Sequence, residues 1–584
     1  MLEVIFKSGL IIGGLSLLLF LFGHAGLLSP PYMVLAVAVF IVSLWFFLKE
    51  DFRKRARIEG YSTKDLCLMA FAVVFVLSIL PLALAPPSVR DELIHHLAVP
   101  KLYIEKGRIF AIPFMGFSYY PMNIDLLYLI PLALGNDIAP RLIHFGFGLL
   151  TGLAIYAYLK AGVNRTYALL GFLVFVSTPV VINLSRIAYI DLGVTFFITL
   201  SLIGVLKWNE DGGKRWFFYS AAAAGFAIGS KPNALISLFL VTLLLVYLSG
   251  KKKEMKARAC VAGAVYSLLA VSVFAPWLLR NYLWTGSPLY PLLKSFTAAA
   301  VKGEGLHIGE GLPPVMKRYL LYNESAVKIL LAPFRIFFEG RDNSIEKFDG
   351  VLNPVFLFLV PLAFLRVRGL KDLKYLAAFS VMFFYIAFFT ADLVIRYILP
   401  VLPPLVISSA WGVKCGMERR GLRAVTVLSL VLLFSFNIVY LGGLYKNYRT
   451  LLYLSGKETR DGYLSRVLPD YSVTKYANEN LPQSAKVLFL FSGDRGYYWQ
   501  REYYYGDRFG GNLIRMVKNS RTEDELKERF AGGGATHLFM MDALFGKFVM
   551  DNFSLDEKRL LSGFFKTHLV RLYGANGFSL YEII

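Results

Sequence analysis

The chain has 584 residues, 56% of them hydrophobic and 15% aromatic, with a formal net charge of +22. A mean hydropathy of +0.55 excludes a water-soluble globular protein and fits an integral membrane protein. The positive total would also suit a nucleic-acid binder, but the basic residues collect in loops between apolar runs, so nucleic acid is an unnecessary partner.

About thirteen apolar runs approach the length that crosses a bilayer, at 10–22, 32–48, 67–85, 140–160, 167–183, 190–206, 216–230, 233–249, 259–279, 351–365, 375–391, 397–413 and 423–441. Basic residues gather in alternate loops: Lys49 to Lys64, Lys160 and Arg165, Lys207 to Arg215, Lys251 to Arg258, Arg366 to Lys374, and Lys414 to Arg423. The bias of Lys and Arg toward the inner leaflet places these loops and the N-terminus in the cytoplasm, with the C-terminus outside. Cys67, Cys260 and Cys415 all fall on the cytoplasmic side, so no disulfide framework is expected. The first run lacks an A-x-A cleavage site and another span follows at once, which predicts a retained helix.

On this topology two spans and a cytoplasmic loop occupy 1–65, and a transmembrane module occupies 66–444 with long external segments at 86–139 and 280–350. The remainder, 445–584, is an extracytoplasmic unit. The apolar stretch from Leu126 to Leu134 is too short to span and reads as an interfacial helix, and the aromatic, Lys- and Arg-interrupted pattern after Arg280 suits helices at headgroup level. The C-terminal unit is far more polar. Strands are predicted at 486–491 and 536–541, with a hairpin about Asn576-Gly577 and a helix capped at Thr522, which together make a small α/β domain.

The chemistry-bearing residues stand at external span ends. PPSVRDELIHHLAVPK, residues 86–101, sets Asp91, Glu92, His95 and His96 beside the third span. A carboxylate there serves as a general base if it is held against the proton it removes, and burial beside a second carboxylate raises its pKa; otherwise the charges mark the interface. Asp191 in SRIAYIDLG either lines the same cavity or opposes a helix N-terminus. Arg186, Lys231, Arg280 and Arg396 are nearly all the basic residues at external span ends. An anionic lipid headgroup needs such partners, although anchoring at the interface is the alternative for each. Adjacent histidines rarely reach one metal, and no H-x-x-x-H or cysteine set accompanies His95 and His96, so no metal site is assigned.

RDELIHHLAVPK, YYPMNIDLLY, SRIAYIDLG and RYILPVLPPL together resemble the GT-C membrane glycosyltransferases, in particular the group of protein O-mannosyltransferases and aminoarabinose transferases, across roughly residues 66–413. The resemblance implies a GT-C-like polytopic helical fold and inverting transfer of a sugar from a polyprenyl-phosphate carrier to an envelope lipid, glycan or protein on the external face of the cytoplasmic (inner) membrane. It implies that Asp91 deprotonates the acceptor and that Glu92 and Asp191 shape or polarise its site. Arg186, Lys231, Arg280 and Arg396 become candidates for binding the donor phosphate, and His95, His96, Tyr119 and Tyr120 for acceptor or metal contacts. No cofactor is fixed, and a divalent cation stays open. Here the histidines follow Asp91 by four and five positions, later than in the mannosyltransferases, so their equivalence is not carried over. The competing classes are a polytopic transporter and an oligosaccharide polymerase or ligase with a diphosphate-linked donor. A third is a noncatalytic membrane anchor for a partner-binding domain.

Overall fold

The computed structural model describes residues 1–53, 60–251, 256–291, 313–366, 371–506 and 511–584. Parts of three basic loops, at 54–59, 252–255 and 367–370, and residues 292–312 of the second long segment lie outside the described residues.

Among the described residues, ten helices are long and apolar enough to cross a membrane, and a pair bent by 64°, Arg165–Ser177 and Pro179–Ser185, makes an eleventh if taken as one span. Pro179 explains the bend, because it has no N–H to continue the ladder and disfavours helical geometry at Thr178, which is extended. The remaining two apolar runs form shorter helices. Lys214–Ile228 has 15 residues and Phe356–Ala363 has 8. Both are packed through glycine contacts that admit no larger side chain: a Cβ on Gly225 would lie 2.5 Å from the Ala270 carbonyl, and one on Gly412 2.0 Å from that of Leu359.

Burial ranks the spans. In Asp191–Asp211 and Ile395–Glu418 the apolar window is 89% buried, against 17% in Pro30–Asp51 and 28% in Thr63–Ala83. The first two are central, and each begins with a charged residue of the site or next to one. The Leu126 to Leu134 stretch is folded into the interior: Asn123–Leu127 and Leu129–Ala133 are short helices with Ile124, Leu126, Leu127, Tyr128 and Leu129 buried, so they do not form the interfacial helix expected.

The C-terminal unit contains a five-stranded sheet of order β2-β1-β3-β5-β4, with β1 Lys486–Leu490, β2 Glu502–Tyr505, β3 His537–Met541, β4 Leu569–Ala575 and β5 Phe578–Ile583. β1 pairs in parallel with β2 and β3, and the β4–β5 hairpin adds antiparallel to β3. Asn576 and Gly577 both have positive φ, as a tight hairpin turn requires. Thr522 caps Glu523–Gly532 by accepting from the Glu525 N–H. β2 was not expected; its Tyr-rich sequence follows a run of turn residues and shows no clear alternation.

Candidate functional site

The segment after Thr63–Ala83 does not continue as an α-helix. Residues Glu92–His96 make one π-helical turn, closed by the Leu97 N–H donating to the Glu92 carbonyl at 2.9 Å, with Asp91 at its N-cap. Such turns place consecutive side chains at an unusual spacing and recur at functional sites. Here the turn separates two adjacent carboxylates into different environments.

Asp91 faces the site. Its Oδ2 accepts from Arg396 Nη2 at 2.7 Å, and both side chains retain partial exposure, 24% and 18%. Burial alone would raise the Asp91 carboxyl, but the Arg396 guanidinium and the nearby histidines hold it well below the usual carboxylate range. Arg396 Nε is buried and has no protein partner among the described residues.

Glu92 points the other way. Its Oε1 accepts from Arg141 Nε at 2.7 Å and the Ala188 N–H at 2.8 Å, while Oε2 accepts from Arg141 Nη2 at 2.8 Å and the N–H groups of Ser88 and Val89 at 3.0 and 3.1 Å. A carboxylate offers about four lone-pair sites, so these five donors leave no oxygen for an acceptor. Glu92 therefore departs from the catalytic set expected from sequence: it ties the loop at 88–92 to the Arg186–Ile190 turn and to helix Ala139–Gly162.

Asp191 and Lys231 form a second ion pair, Nζ to Oδ1, at 2.6 Å. Asp191 is the first residue of helix Asp191–Asp211, where its charge opposes the partial positive charge of the helix end. With Ile190 as N-cap the helix start has no side-chain cap of its own, and His144 substitutes: its Nε2 accepts from the Leu192 N–H at 2.9 Å, with Nδ1 donating toward the carbonyls of Ile187 and Leu184. Lys231 reaches Asp191 because Lys214–Ile228 ends early, leaving the turn at 229–233 inside the protein. Burial lowers the Lys231 pKa, and Asp191 opposes that. The Lys231 ammonium lies 4.6 Å from the Tyr397 ring centre and the Arg396 guanidinium 5.2 Å, so one aromatic ring touches both ion pairs.

The histidines are packed. His95 stacks on Phe117 with centroids 4.3 Å apart, and burial pushes its pKa down to about 3. His96 Nδ1 lies 2.7 Å from Asp125 Oδ1, and both side chains are buried. Burial pushes His96 down to about 4 and Asp125 up to about 8, so the pair is neutral near pH 7. Asp125 was absent from the expected site residues: it lies within YYPMNIDLLY, but a lone acid in an apolar stretch gave no role there. The Tyr189 ring lies 5.2 Å from His96 and 5.1 Å from Arg396, which places the histidine pair on the wall of the same site.

The two remaining cations are not in this cluster. Arg186 donates to Asn183 Oδ1 at 2.9 Å and Tyr448 Oη at 2.8 Å and lies 3.8 Å over the Tyr448 ring. Asn183 and Tyr440 then bond Asp342, so Arg186 belongs to a network that fastens helix Arg420–Tyr448 and is not grouped with the phosphate-binding candidates. Arg280 is wedged between Trp277 and Trp284, 4.5 and 4.6 Å from their rings, and its Nη2 donates to the Tyr119 carbonyl at 2.7 Å and to that of Tyr120 at 3.3 Å. Its Nη1 is buried without a partner among the described residues. It borders the cluster through the Tyr119–Tyr120 turn, where the Tyr120 ring lies 6.2 Å from Phe117, the ring on which His95 stacks.

The donor set does not fit a divalent cation. The two carboxylates facing the site are each matched by a cation that would repel a metal ion, and among the described residues no group of three or more His, Cys, Asp or Glu could hold one. The arrangement is instead two carboxylates and two cations around one ring, with a buried guanidinium donor unspent. Such a set can neutralise a phosphate and hold a carboxylate base beside it.

Residues 126–279, roughly a quarter of the chain, match the family described as dolichyl-phosphate-mannose-protein mannosyltransferase. That stretch contains Asp191 and Lys231 but neither Asp91 nor Arg396. Among solved structures, ArnT from Cupriavidus metallidurans in the apo state is 13% identical, covering 88% of this chain and 97% of its own, with a TM-score of 0.51. ArnT from the same organism bound to undecaprenyl phosphate is 13% identical over the same shares, with a TM-score of 0.49. The archaeal oligosaccharyltransferase AglB from Archaeoglobus fulgidus, in complex with an inhibitory peptide and a dolichol-phosphate, is 12% identical and covers 82% of this chain and 70% of its own, at 0.48. A comparison with curated proteins finds no match. The apo ArnT structure establishes the fold: the chain is a multi-pass, GT-C-like helical membrane protein with a small C-terminal sheet domain, as the sequence resemblance implies.

Proposed function

We propose that this chain is an inverting glycosyltransferase that moves a sugar from a polyprenyl-phosphate carrier to an acceptor hydroxyl. On this reading the site lies on the extracytoplasmic face of the inner membrane, on the side of the C-terminal domain, with the N-terminus in the cytoplasm. The donor class is that of the lipid phosphate bound by ArnT. The observation that carries the proposal is the Asp91–Arg396 pair at 2.7 Å with Arg396 Nε unspent, beside the Asp191–Lys231 pair at 2.6 Å.

In the free protein each cation is held by one of the site's own carboxylates. An incoming donor phosphate competes for Arg396 and Lys231, and as the guanidinium turns to the phosphate, Asp91 loses the partner that depresses its pKa and gains basicity. The acceptor oxygen then attacks the anomeric carbon from the face opposite the phosphate. Its proton passes to Asp91, the bond between the anomeric carbon and the phosphate oxygen breaks, and the electron pair leaves with the lipid phosphate, whose developing charge Arg396 and Lys231 stabilise. Arg280, with its own buried donor, stands beside that path. Asp191 keeps Lys231 charged and aimed.

A transporter would place ionisable groups near the middle of the spans. The four charges here cluster where spans begin or end, which favours chemistry at one membrane face. The test is sugar transfer from a panel of radiolabelled polyprenyl-phosphate and polyprenyl-diphosphate sugars by full-length protein in lipid nanodiscs, with envelope extracts as acceptors. Turnover of a monophosphate-linked donor that Asp91→Asn abolishes is the expected result. Turnover confined to diphosphate-linked donors would instead point to a polymerase or ligase, and none from any donor would overturn the proposal.

A further inference from the structure

A second polar cleft lies away from the charged cluster, where the C-terminal domain meets the first long loop. It has a volume of about 380 Å³ and opens between helix Ala98–Lys106, which continues directly from the Asp91–His96 turn, and the segment 471–500. That size falls within the range of small-molecule sites. One wall is aromatic: Tyr497 and Tyr498 have ring centres 5.0 Å apart at 69°, and Tyr471 and Tyr498 5.6 Å apart at 85°, all three rings lining the cleft. The rim opposite carries Glu105 and Gln500, both exposed.

Each charge in this cleft has a partner. Lys101 Nζ donates to the carbonyls of Tyr497 and Trp499 at 2.9 and 2.5 Å and lies 3.6 Å from Glu105, and Arg460 is paired with Asp137. A phosphate would have to displace a carboxylate from either cation, and an acyl chain would lie against ionised groups at a desolvation cost. Aromatic faces that accept C–H groups, ringed by amide and carboxylate oxygens and nitrogens that accept and donate to hydroxyls, match a neutral sugar. The cleft is also joined to the loop that carries Asp91. The Tyr498 hydroxyl donates to the Pro87 carbonyl at 2.7 Å, and the Tyr497 N–H donates to that of Leu93 at 3.1 Å.

We propose that this cleft binds a neutral saccharide unit of the acceptor, so that the acceptor is a glycan or glycolipid and the C-terminal domain helps to select it. The inference rests on the glycosyltransferase reading above. Two of the tyrosines that line the cleft also hold the loop on either side of Asp91, so an occupied cleft fixes that loop and spends binding energy from a remote part of the acceptor on positioning at the reacting centre.

The test is saturation-transfer difference NMR on the full-length protein in nanodiscs, without donor. The probes are methyl glycosides of glucose, galactose, mannose and N-acetylglucosamine, the corresponding disaccharides, and a Ser/Thr-containing hexapeptide. Transfer to the ring protons of at least one sugar is expected, weakened roughly tenfold when Glu105→Ala and Gln500→Ala remove two rim partners, since a tenfold change corresponds to one or two hydrogen bonds. These two side chains are exposed, so their replacement leaves the fold intact, and Tyr471→Ala, which removes one aromatic face, is expected to act in the same direction. No transfer to any sugar, transfer unchanged in all three variants, or transfer to the hexapeptide alone would overturn the proposal. Donor turnover in the same preparations separates the two claims: Asp91-dependent turnover without saccharide binding sinks the cleft alone, whereas saccharide binding without any donor turnover sinks the glycosyltransferase reading.

Discussion

Asp91 and Glu92 are neighbours in sequence with opposite roles, and the contrast gives the sharpest residue-scale predictions. Glu92 is fully buried against Arg141, so Glu92→Gln leaves an uncompensated guanidinium in the interior and should destabilise the protein by about 3 kcal/mol or more. Asp91→Asn, at a partly exposed pair, should leave the melting temperature near that of the wild type while abolishing transfer. Thermal unfolding in nanodiscs, run beside the transfer assay, checks both; equal melting temperatures for wild type and Glu92→Gln would refute the structural role. Asp125 gives a pH signature. Burial raises its pKa from an ordinary 3.8 to about 8, so between those values the folded chain keeps a proton that the unfolded chain releases, and stability falls as pH rises through that window. His96, lowered from 6.5 to about 4, acts in the opposite sense and only below 6.5. Between pH 6.5 and 8 the melting temperature should therefore decline in the wild type and decline less in Asp125→Asn. Parallel curves would show that Asp125 is ionised in the folded state.

The elements that carry the site meet through close backbone packing. The Asn123 N–H donates to the Gly229 carbonyl at 2.9 Å, Trp277 Nε1 donates to Asn123 Oδ1 at 2.7 Å, and a Cβ on Gly229 would fall 2.2 Å from Asn123 Nδ2. This contact sets Asp125, two residues after Asn123, and Lys231, two after Gly229, on one wall. Gly229→Ala should force the two turns apart, costing about 1–3 kcal/mol and lowering transfer. A melting temperature and an activity both like the wild type would mean that the contact yields freely. At this scale the sequence was legible where a run was long and its ends were marked: the ten long helices follow from apolar length, and four of the five strands from β-rich runs and the Asn-Gly turn. It was not legible where tertiary contact decided the outcome. Apolar length predicts a full span at 216–230, yet Lys214–Ile228, packed against Ala270 through Gly225, stops at 15 residues, whereas the bend within 167–183 follows from Pro179 itself.

For the whole molecule, charge bias in loops places groups at one membrane face but says nothing of their position around the bundle. Arg186, Arg280, Lys231 and Arg396 were equivalent in sequence, each a cation at a span end. Packing brought Lys231 and Arg396 to the same tyrosine, put Arg280 on the adjoining wall and sent Arg186 to another network. Asp125 was invisible for the complementary reason, since an acid within an apolar run acquires meaning only from the histidine it meets. The topology itself is testable with Asp556→Cys, at a side chain 91% exposed in the C-terminal domain. A membrane-impermeant maleimide should label that variant in intact cells above the wild-type background, and labelling only after permeabilisation would put the domain in the cytoplasm. The central claim is that the paired cluster around Tyr397 receives a lipid phosphate. The most direct measurement is native mass spectrometry of undecaprenyl phosphate binding to the full-length wild-type protein and to an Arg396→Gln, Lys231→Met double variant. Bound lipid phosphate in the wild type, lost in the double variant while its helical circular dichroism matches that of the wild type, is the result predicted. Equal retention by both proteins would contradict it.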